Sequence, residues 1–162
     1  MAAGLACLFV GKCREACLRE AAALYEAKLS HLARCEVHTV KDAPAALPPA
    51  ERALREGREL LAKLPPTAVP VILDERGDIW SSRELAARLK AWEDAARMPW
   101  FVVGGAWGLS DEVRARARTG GGGGTLFSLG RITLPHELCR VVLLEQLYRA
   151  ASINKGLPYH HD

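Results

Sequence analysis

Five short apolar segments, separated by stretches of helical composition, constrain the fold of this chain more than any other feature. Leu5–Val10 and Val69–Leu73 are nearly continuous apolar runs, as is typical of strands buried on both faces. Cys35–Val40, Trp100–Val103 and Thr125–Leu129 have similar character. Because these strands alternate with predicted helices, the sequence predicts an α/β domain with a mainly parallel sheet covered on both sides.

The predicted helices are placed by apolar spacing and by start and stop signals. Ser81 and Glu84 have the spacing of a capping box, and Ser110 is suited to cap a shorter helix. Glu75–Asp78 is predicted to form a turn and Gly120–Gly124 a flexible loop. The helices are expected at Cys13–Ala33, Ala50–Leu64, Ser81 to about Ala96, Ser110 onward, and Pro135 to about Asn154.

Length, charge and cysteine content limit the function classes. A chain of 162 residues is expected to form one domain, 1–162. Its net charge of +3 permits an RNA partner without requiring one. No apolar run reaches the roughly 18 residues needed to span a membrane, and no secretory signal pattern opens the sequence. Five cysteines without a CxxC motif favour structural thiols over a metal site, and they fit a reducing, cytoplasmic setting.

A loop of small residues, Gly104–Ser110, lies between the fourth predicted strand and a predicted helix. Small residues allow a ligand to approach the backbone, whose N–H groups can receive polar ligand atoms. The loop is not GxGxxG, and no GxxxxGK[ST] motif occurs, so neither a dinucleotide fingerprint nor a P-loop is supported. Spacing alone leaves two interpretations, a tight structural turn or a ligand-binding loop.

A second loop, Leu129–His136, follows the fifth predicted strand. Two loops that follow neighbouring strands of a parallel sheet can form one pocket at the carboxyl edge. The alternative is that Thr133 and His136 only belong to the start of the last helix.

The last predicted helix is apolar on nearly all sides, so it should be deeply buried or shared with a partner subunit. Glu145 and Arg149, at i, i+4 spacing, form either a simple ion pair or charges that face an active site. The tail Pro158–Asp162 is either frayed or part of a polar site. Arg114, Arg116 and Arg118 alternate on a short helix, where they are either solvated or in contact with phosphates.

Several of these segments together resemble the signature of a known family. In order and spacing they are similar to the bacterial large-subunit rRNA pseudouridine N3-methyltransferases, which belong to the SPOUT class. The resemblance is strong over Val69–Asp162 and weaker at Leu5–Lys12. The matching segments are Val102–Gly105, Gly108–Ser110, Ile132–His136, Leu144–Ala150 and Pro158–His160.

The resemblance implies a fold, a reaction and partners. The fold would be one SPOUT domain over 1–162, with a deep trefoil knot near the C-terminus. The protein would act as a homodimer that binds S-adenosylmethionine in the knot loops. It would methylate N3 of a pseudouridine in helix 69 of the large-subunit rRNA, on the assembled ribosome.

The resemblance also implies site residues, and no metal. Arg149 would stabilise negative charge on the base, while Tyr159 and His160 would contact the base or relay its proton. The tail would complete the site of the partner subunit. The expected cofactor-binding residues are Leu73, Gly104, Gly105, Leu129, Gly130, Arg131, Ile132, Thr133 and Leu134.

One departure from the family keeps other functions open. Ala106-Trp107 stands where the family usually has Pro-Glu, so a carboxylate is lost and a large ring is added. The alternatives are a SPOUT methyltransferase that acts on another RNA such as tRNA, and a non-catalytic relative that binds ribosomes.

Overall fold

The computed structural model describes residues 4–119 and 123–159 and contains all five predicted strands and all five predicted helices. The strands are β1 (Leu5–Val10), β2 (Cys35–Val40), β3 (Val69–Ile79), β4 (Pro99–Val103) and β5 (Thr125–Ser128). The helices are α1 (Ala16–Ser30), α2 (Pro49–Lys63), α3 (Ser82–Asp94), α4 (Asp111–Thr119) and α5 (His136–Asn154).

The five strands form one sheet in the order β2-β1-β4-β3-β5, and every pairing between them is parallel. The predicted α/β class with a mainly parallel sheet is therefore confirmed. The strand β4 lies between β1 and β3, although it follows both of them in the chain. As a result, the carboxyl ends of β4, β3 and β5 are neighbours at one edge of the sheet.

Both faces of the sheet are covered, which explains the continuous apolar strands. In β1, Leu5, Cys7 and Phe9 point to one face and pack with residues of α1, α3 and α5. The alternate residues of β1, such as Leu8 and Val10, point to the other face and pack with α2 and α4. Since successive side chains of a strand point in opposite directions, every residue of such a strand must be apolar.

Helix α5 is deeply buried, as its composition predicts. Leu143, Leu144 and Leu147 are almost fully buried within the cluster formed with α1 and α3. The first turn of α5 also determines where α1 begins, because the Glu137 carboxylate accepts hydrogen bonds from the backbone N–H groups of Arg14 (2.8 Å) and Glu15 (3.2 Å). The predicted start of this helix at Cys13 is therefore three residues too early.

The turn predicted at Glu75–Asp78 is wrong. Strand β3 continues to Ile79 through a bulge, and both Leu73 and Asp78 are paired with Phe127 of β5. A Cβ on Gly77 would lie 2.5 Å from the backbone of Leu126 and Phe127, so the glycine permits this close approach. Pairing with β5, which is distant in sequence, overrides the local preference for a turn.

The predicted helix caps are confirmed. Ser81 and Glu84 form the reciprocal capping box of α3, and Ser110 accepts a hydrogen bond from the Val113 N–H at the start of α4. Most of the predicted glycine loop, residues 120–122, lies outside the described part of the chain. None of the described helices has the length and apolar character needed to cross a membrane.

Candidate functional site

A cavity of about 610 Å³ lies at the edge of the sheet where β4, β3 and β5 end. This volume is within the usual range of small-molecule sites. Its wall is formed by Leu73, Asp74 and Glu75 at the bulge of β3, by the glycine loop after β4 and by the loop that joins β5 to α5, with Arg114 of α4 and Cys139 of α5. The two loops that the sequence placed at one sheet edge do form one pocket.

Eight of the nine residues expected to bind the cofactor line this cavity, while Arg131 does not and is exposed to solvent. The eight are Leu73, Gly104, Gly105, Leu129, Gly130, Ile132, Thr133 and Leu134. They come from three separate segments, so the fold is what brings them together.

The polar wall of the cavity is an ion pair that the sequence analysis missed. Arg114 donates from Nε to Oδ2 of Asp74 over 2.5 Å, and it also contacts Asp111. Burial opposes ionisation of Asp74, but the hydrogen bonds from Arg114 and from the Arg76 N–H hold the pKa of Asp74 below its ordinary value. Arg114 is therefore a cavity residue held by carboxylates, not a simply solvated one.

The glycine loop forms the tight turn that its spacing allows, and it is also a wall of the cavity, so its role in binding a ligand stays a prediction. The Gly108 N–H donates to the Gly105 carbonyl over 3.1 Å, and Gly108 has a φ of 80°, which favours glycine. A Cβ on Gly105 would lie 2.5 Å from Oε2 of Glu56, so no side chain fits between the loop and helix α2.

Glu56 is a buried carboxyl group behind this loop, and the sequence analysis missed it too. Its side chain is almost fully buried, and Oε1 accepts a hydrogen bond from the Ala43 N–H over 3.0 Å. Oε2 has no hydrogen-bond partner among the described residues. The available signal was its position four residues before Leu60, which places both residues on the buried face of α2.

The loop before α5 lines the cavity with backbone and with short or exposed side chains. Ser128 Oγ accepts a hydrogen bond from the Gly130 N–H and donates one to the Gly130 carbonyl. Ile132 lines the cavity with a side chain that is 74% exposed to solvent. Cys139 is also on the wall, where burial raises its pKa to about 11, so the thiol stays protonated near neutral pH.

The two described residues expected to be catalytic lie together at the far end of α5. Arg149 donates to Glu145 Oε1 from Nη2 (2.5 Å) and Nε (3.0 Å), which confirms the ion pair of the sequence analysis. The Tyr159 hydroxyl donates to the same oxygen over 3.1 Å, and the Arg149 guanidinium lies 4.7 Å from the centre of the Tyr159 ring. The hydrogen bond with Glu145 raises the pKa of Arg149.

This group does not line the cavity of its own chain. Cys139, near the start of α5, lines the cavity, whereas Arg149 lies ten residues further along the helix, about 15 Å at 1.5 Å per residue. Within one chain, the residues expected to be catalytic are therefore far from the residues expected to bind the cofactor. His160, the third residue expected to be catalytic, lies outside the described residues.

Known proteins resemble this chain over nearly all of its length. A family model described as "Predicted SPOUT methyltransferase" matches residues 4–160. The chain is 44% identical over 155 residues to a protein from Maridesulfovibrio salexigens (95% of this chain, 96% of the relative). It is 49% identical over 156 residues to a protein from Nitratidesulfovibrio vulgaris (95% and 96%). Both relatives are named "Ribosomal RNA large subunit methyltransferase H".

These matches agree with the fold and with the segments that carried the resemblance. The parallel sheet, the glycine loop after β4 and the loop before α5 all lie inside the matched residues. Since the family model and the relatives both cover almost the whole chain, the chain belongs to the SPOUT methyltransferase family.

Proposed function

We propose that this chain transfers a methyl group from S-adenosylmethionine to N3 of a pseudouridine in helix 69 of the large-subunit rRNA, on the assembled ribosome. The names of the relatives support a substrate in large-subunit rRNA. The observation that most supports the proposal is the cavity at the carboxyl edge of the sheet. Its wall contains eight of the nine residues expected to bind the cofactor. If it acts on assembled ribosomes, the protein works where they are, and we propose the cytoplasm.

The cavity suits S-adenosylmethionine in size and lining. Its volume of about 610 Å³ is that of a site for a ligand of this size. Gly104 and Gly105 offer backbone without side chains, while Leu129 and Leu134 offer apolar contacts. When bound, S-adenosylmethionine supplies an electrophilic methyl group.

The residues at the far end of α5 suit the base. N3 of pseudouridine carries an imide proton, and it becomes a good nucleophile only when that proton leaves. The Arg149 guanidinium stabilises the negative charge that then develops on the base carbonyls. Burial, a hydrogen bond with Tyr25 and the charge of Glu145 raise the pKa of Tyr159, so its phenol remains protonated and keeps donating to Glu145, which holds the ring where it can contact the base. His160 is proposed to contact the base beside it.

We place these groups in the cavity of a second copy of the chain. The separation between Arg149 and the cavity of the same chain supports a homodimer in which the end of α5 and the tail of one subunit complete the site of the other. The trefoil knot that the family implies would hold the cofactor loops near the start of α5.

The deciding experiment is methyl transfer from labelled S-adenosylmethionine to three substrates: assembled ribosomes, free large-subunit rRNA and tRNA. Label on a single helix 69 pseudouridine, with assembled ribosomes as the preferred substrate, is the expected result. Preferential labelling of tRNA would support the alternative function, a SPOUT methyltransferase that acts on tRNA. If no substrate is labelled but the protein binds ribosomes, the result would support a non-catalytic, ribosome-binding function.

Cofactor binding can be measured separately from catalysis. S-adenosylmethionine at about 100 times its dissociation constant should raise the free energy of unfolding by about 2.7 kcal/mol, because it binds only the folded state. Thermal unfolding with and without the ligand measures this change. Thr133→Trp, which places a large ring at the cavity, should reduce the shift and so serves as the matched control. An unchanged melting temperature in the unmodified protein would argue against the proposed cofactor.

A further inference from the structure

Trp107 is an exposed aromatic side chain at the tip of the glycine loop. It occupies the third position of the turn closed by the hydrogen bond from Gly108 to Gly105, so the fold fixes its backbone. The indole is 51% exposed. Its neighbours Ala106 and Gly108 line the cavity, but the Trp107 side chain does not. The loop that carries the ring therefore forms part of the cavity wall, while the indole itself lies outside the cavity.

Helix α2 provides a cation beneath this ring. The Arg52 guanidinium lies 5.9 Å from the centre of the Trp107 ring, within the range of a cation–π contact. The Nε atom of Arg52 is buried and has no hydrogen-bond partner among the described residues. Arg52 thus supports one face of the indole without being tied to a carboxylate.

Helix α2 carries two further exposed arginines, Arg55 and Arg58, three and six residues beyond Arg52. The exposed carboxylates of Glu51 and Glu59 lie on the same helix. None of these three arginines forms an ion pair with a carboxylate in the part of the chain that the structure describes. An exposed aromatic ring beside unpaired arginines is the arrangement that proteins use to bind unstacked nucleotides.

We propose that Trp107 stacks on a base of the RNA substrate next to the nucleotide that is methylated, while the arginines of α2 contact the RNA backbone. This inference rests on the proposed function for the identity of the RNA. The ring belongs to a loop whose other residues line the proposed cofactor cavity, so a nucleotide stacked on it would lie near the site of methyl transfer. Trp107 is in this view a determinant of substrate binding, and it takes no part in the chemistry.

The test compares three substitutions of Trp107 in the full-length protein. The measured quantities are the dissociation constant for assembled ribosomes, from co-sedimentation, and the dissociation constant for S-adenosylmethionine. Base–aromatic stacking contributes about 1–3 kcal/mol per base, so Trp107→Ala should weaken ribosome binding by about 5- to 150-fold. Trp107→Leu should weaken it similarly, because leucine keeps apolar bulk without a flat ring. Trp107→Phe should restore most of the affinity.

Cofactor binding separates this proposal from its alternatives. All three variants should bind S-adenosylmethionine as the unmodified protein does. Weaker cofactor binding with unchanged ribosome binding would overturn the proposal, because the ring would then belong to the cofactor site. Equal ribosome affinity in the leucine and phenylalanine variants would also overturn it, since stacking would then contribute nothing.

The arginines give a second, electrostatic readout. Arg55→Ala should reduce the slope of log affinity against log salt concentration by about one, as expected when one phosphate contact is lost. An unchanged slope for both Arg55→Ala and Arg58→Ala would remove α2 from the RNA-binding surface. If the unmodified protein failed to methylate ribosomes, the proposed function would be wrong, but the comparison of leucine and phenylalanine at position 107 would still decide the role of the ring.

Discussion

Two buried carboxyl groups position the walls of the cavity. Asp74 holds Arg114 on one side, and Glu56 lies behind Gly105 on the other. Buried polar groups are costly unless they are hydrogen-bonded, so each residue should contribute to the geometry of its loop.

Glu56 should stabilise the protein through its hydrogen bond with Ala43. Glu56→Gln retains a carbonyl oxygen that can accept this bond, whereas Glu56→Ala leaves the Ala43 N–H unpaired and removes buried atoms. We expect the alanine variant to lose about 2–4 kcal/mol in free energy of unfolding, measured in urea, and the glutamine variant to lose clearly less. Equal stability of the two variants would mean that the hydrogen bond is unimportant. Weaker cofactor binding by folded Glu56→Ala would link this residue to the glycine loop.

Asp74 should make stability depend on acid pH. Since its pKa in the folded state is lowered, its ion pair stabilises the protein above the unfolded-state pKa of about 3.9 and loses this effect as pH falls through the folded-state pKa. Asp74→Asn should lower the free energy of unfolding by about 1–3 kcal/mol at pH 7. The difference between the two proteins should stay constant from about pH 7 to pH 5 and shrink below about pH 4. A constant difference down to pH 3 would contradict this assignment.

At the scale of elements, α5 connects two functional regions. Its first turn fixes the start of α1 through Glu137 and contributes Cys139 to the cavity wall. Its far end presents Arg149, to which the tail returns through the contacts of Tyr159. One rigid helix therefore separates the two groups of residues by a fixed distance.

The tail should be required for catalysis and dispensable for cofactor binding. Deletion of residues 157–162 removes Tyr159 and its contacts with Glu145 and Arg149, but no residue that lines the cavity. Methyl transfer to ribosomes should be abolished, while the thermal shift caused by S-adenosylmethionine should remain. Tyr159→Phe provides the milder control, since it keeps the ring over Arg149 and loses only the hydroxyl. Full turnover by the truncated protein would exclude a role for the tail.

At the scale of the whole molecule, the proposed site needs two chains. A mixed dimer of Arg149→Ala and Thr133→Trp chains would contain one cavity that still binds cofactor, faced by one intact Arg149 of the other chain. We expect each homodimer to be nearly inactive and the purified mixed dimer to recover about half of the normal rate, because one of two sites is rebuilt. Labelled methyl transfer measures the recovery. An inactive mixed dimer would show that Arg149 serves its own chain.

Local sequence determined the elements of this protein, their buried faces and the two loops of the site. Continuous apolar runs specify strands covered on both sides, and the caps at Ser81 and Ser110 need only a few neighbouring residues. The tertiary structure decided everything that depends on residues distant in the chain. It placed β4 between β1 and β3, drew Glu75–Asp78 into β3 against β5, and paired Asp74 with Arg114 forty residues away. Periodicity reports which face of an element is buried, whereas strand order and ion pairs depend on which surfaces meet, and only the folded chain determines that.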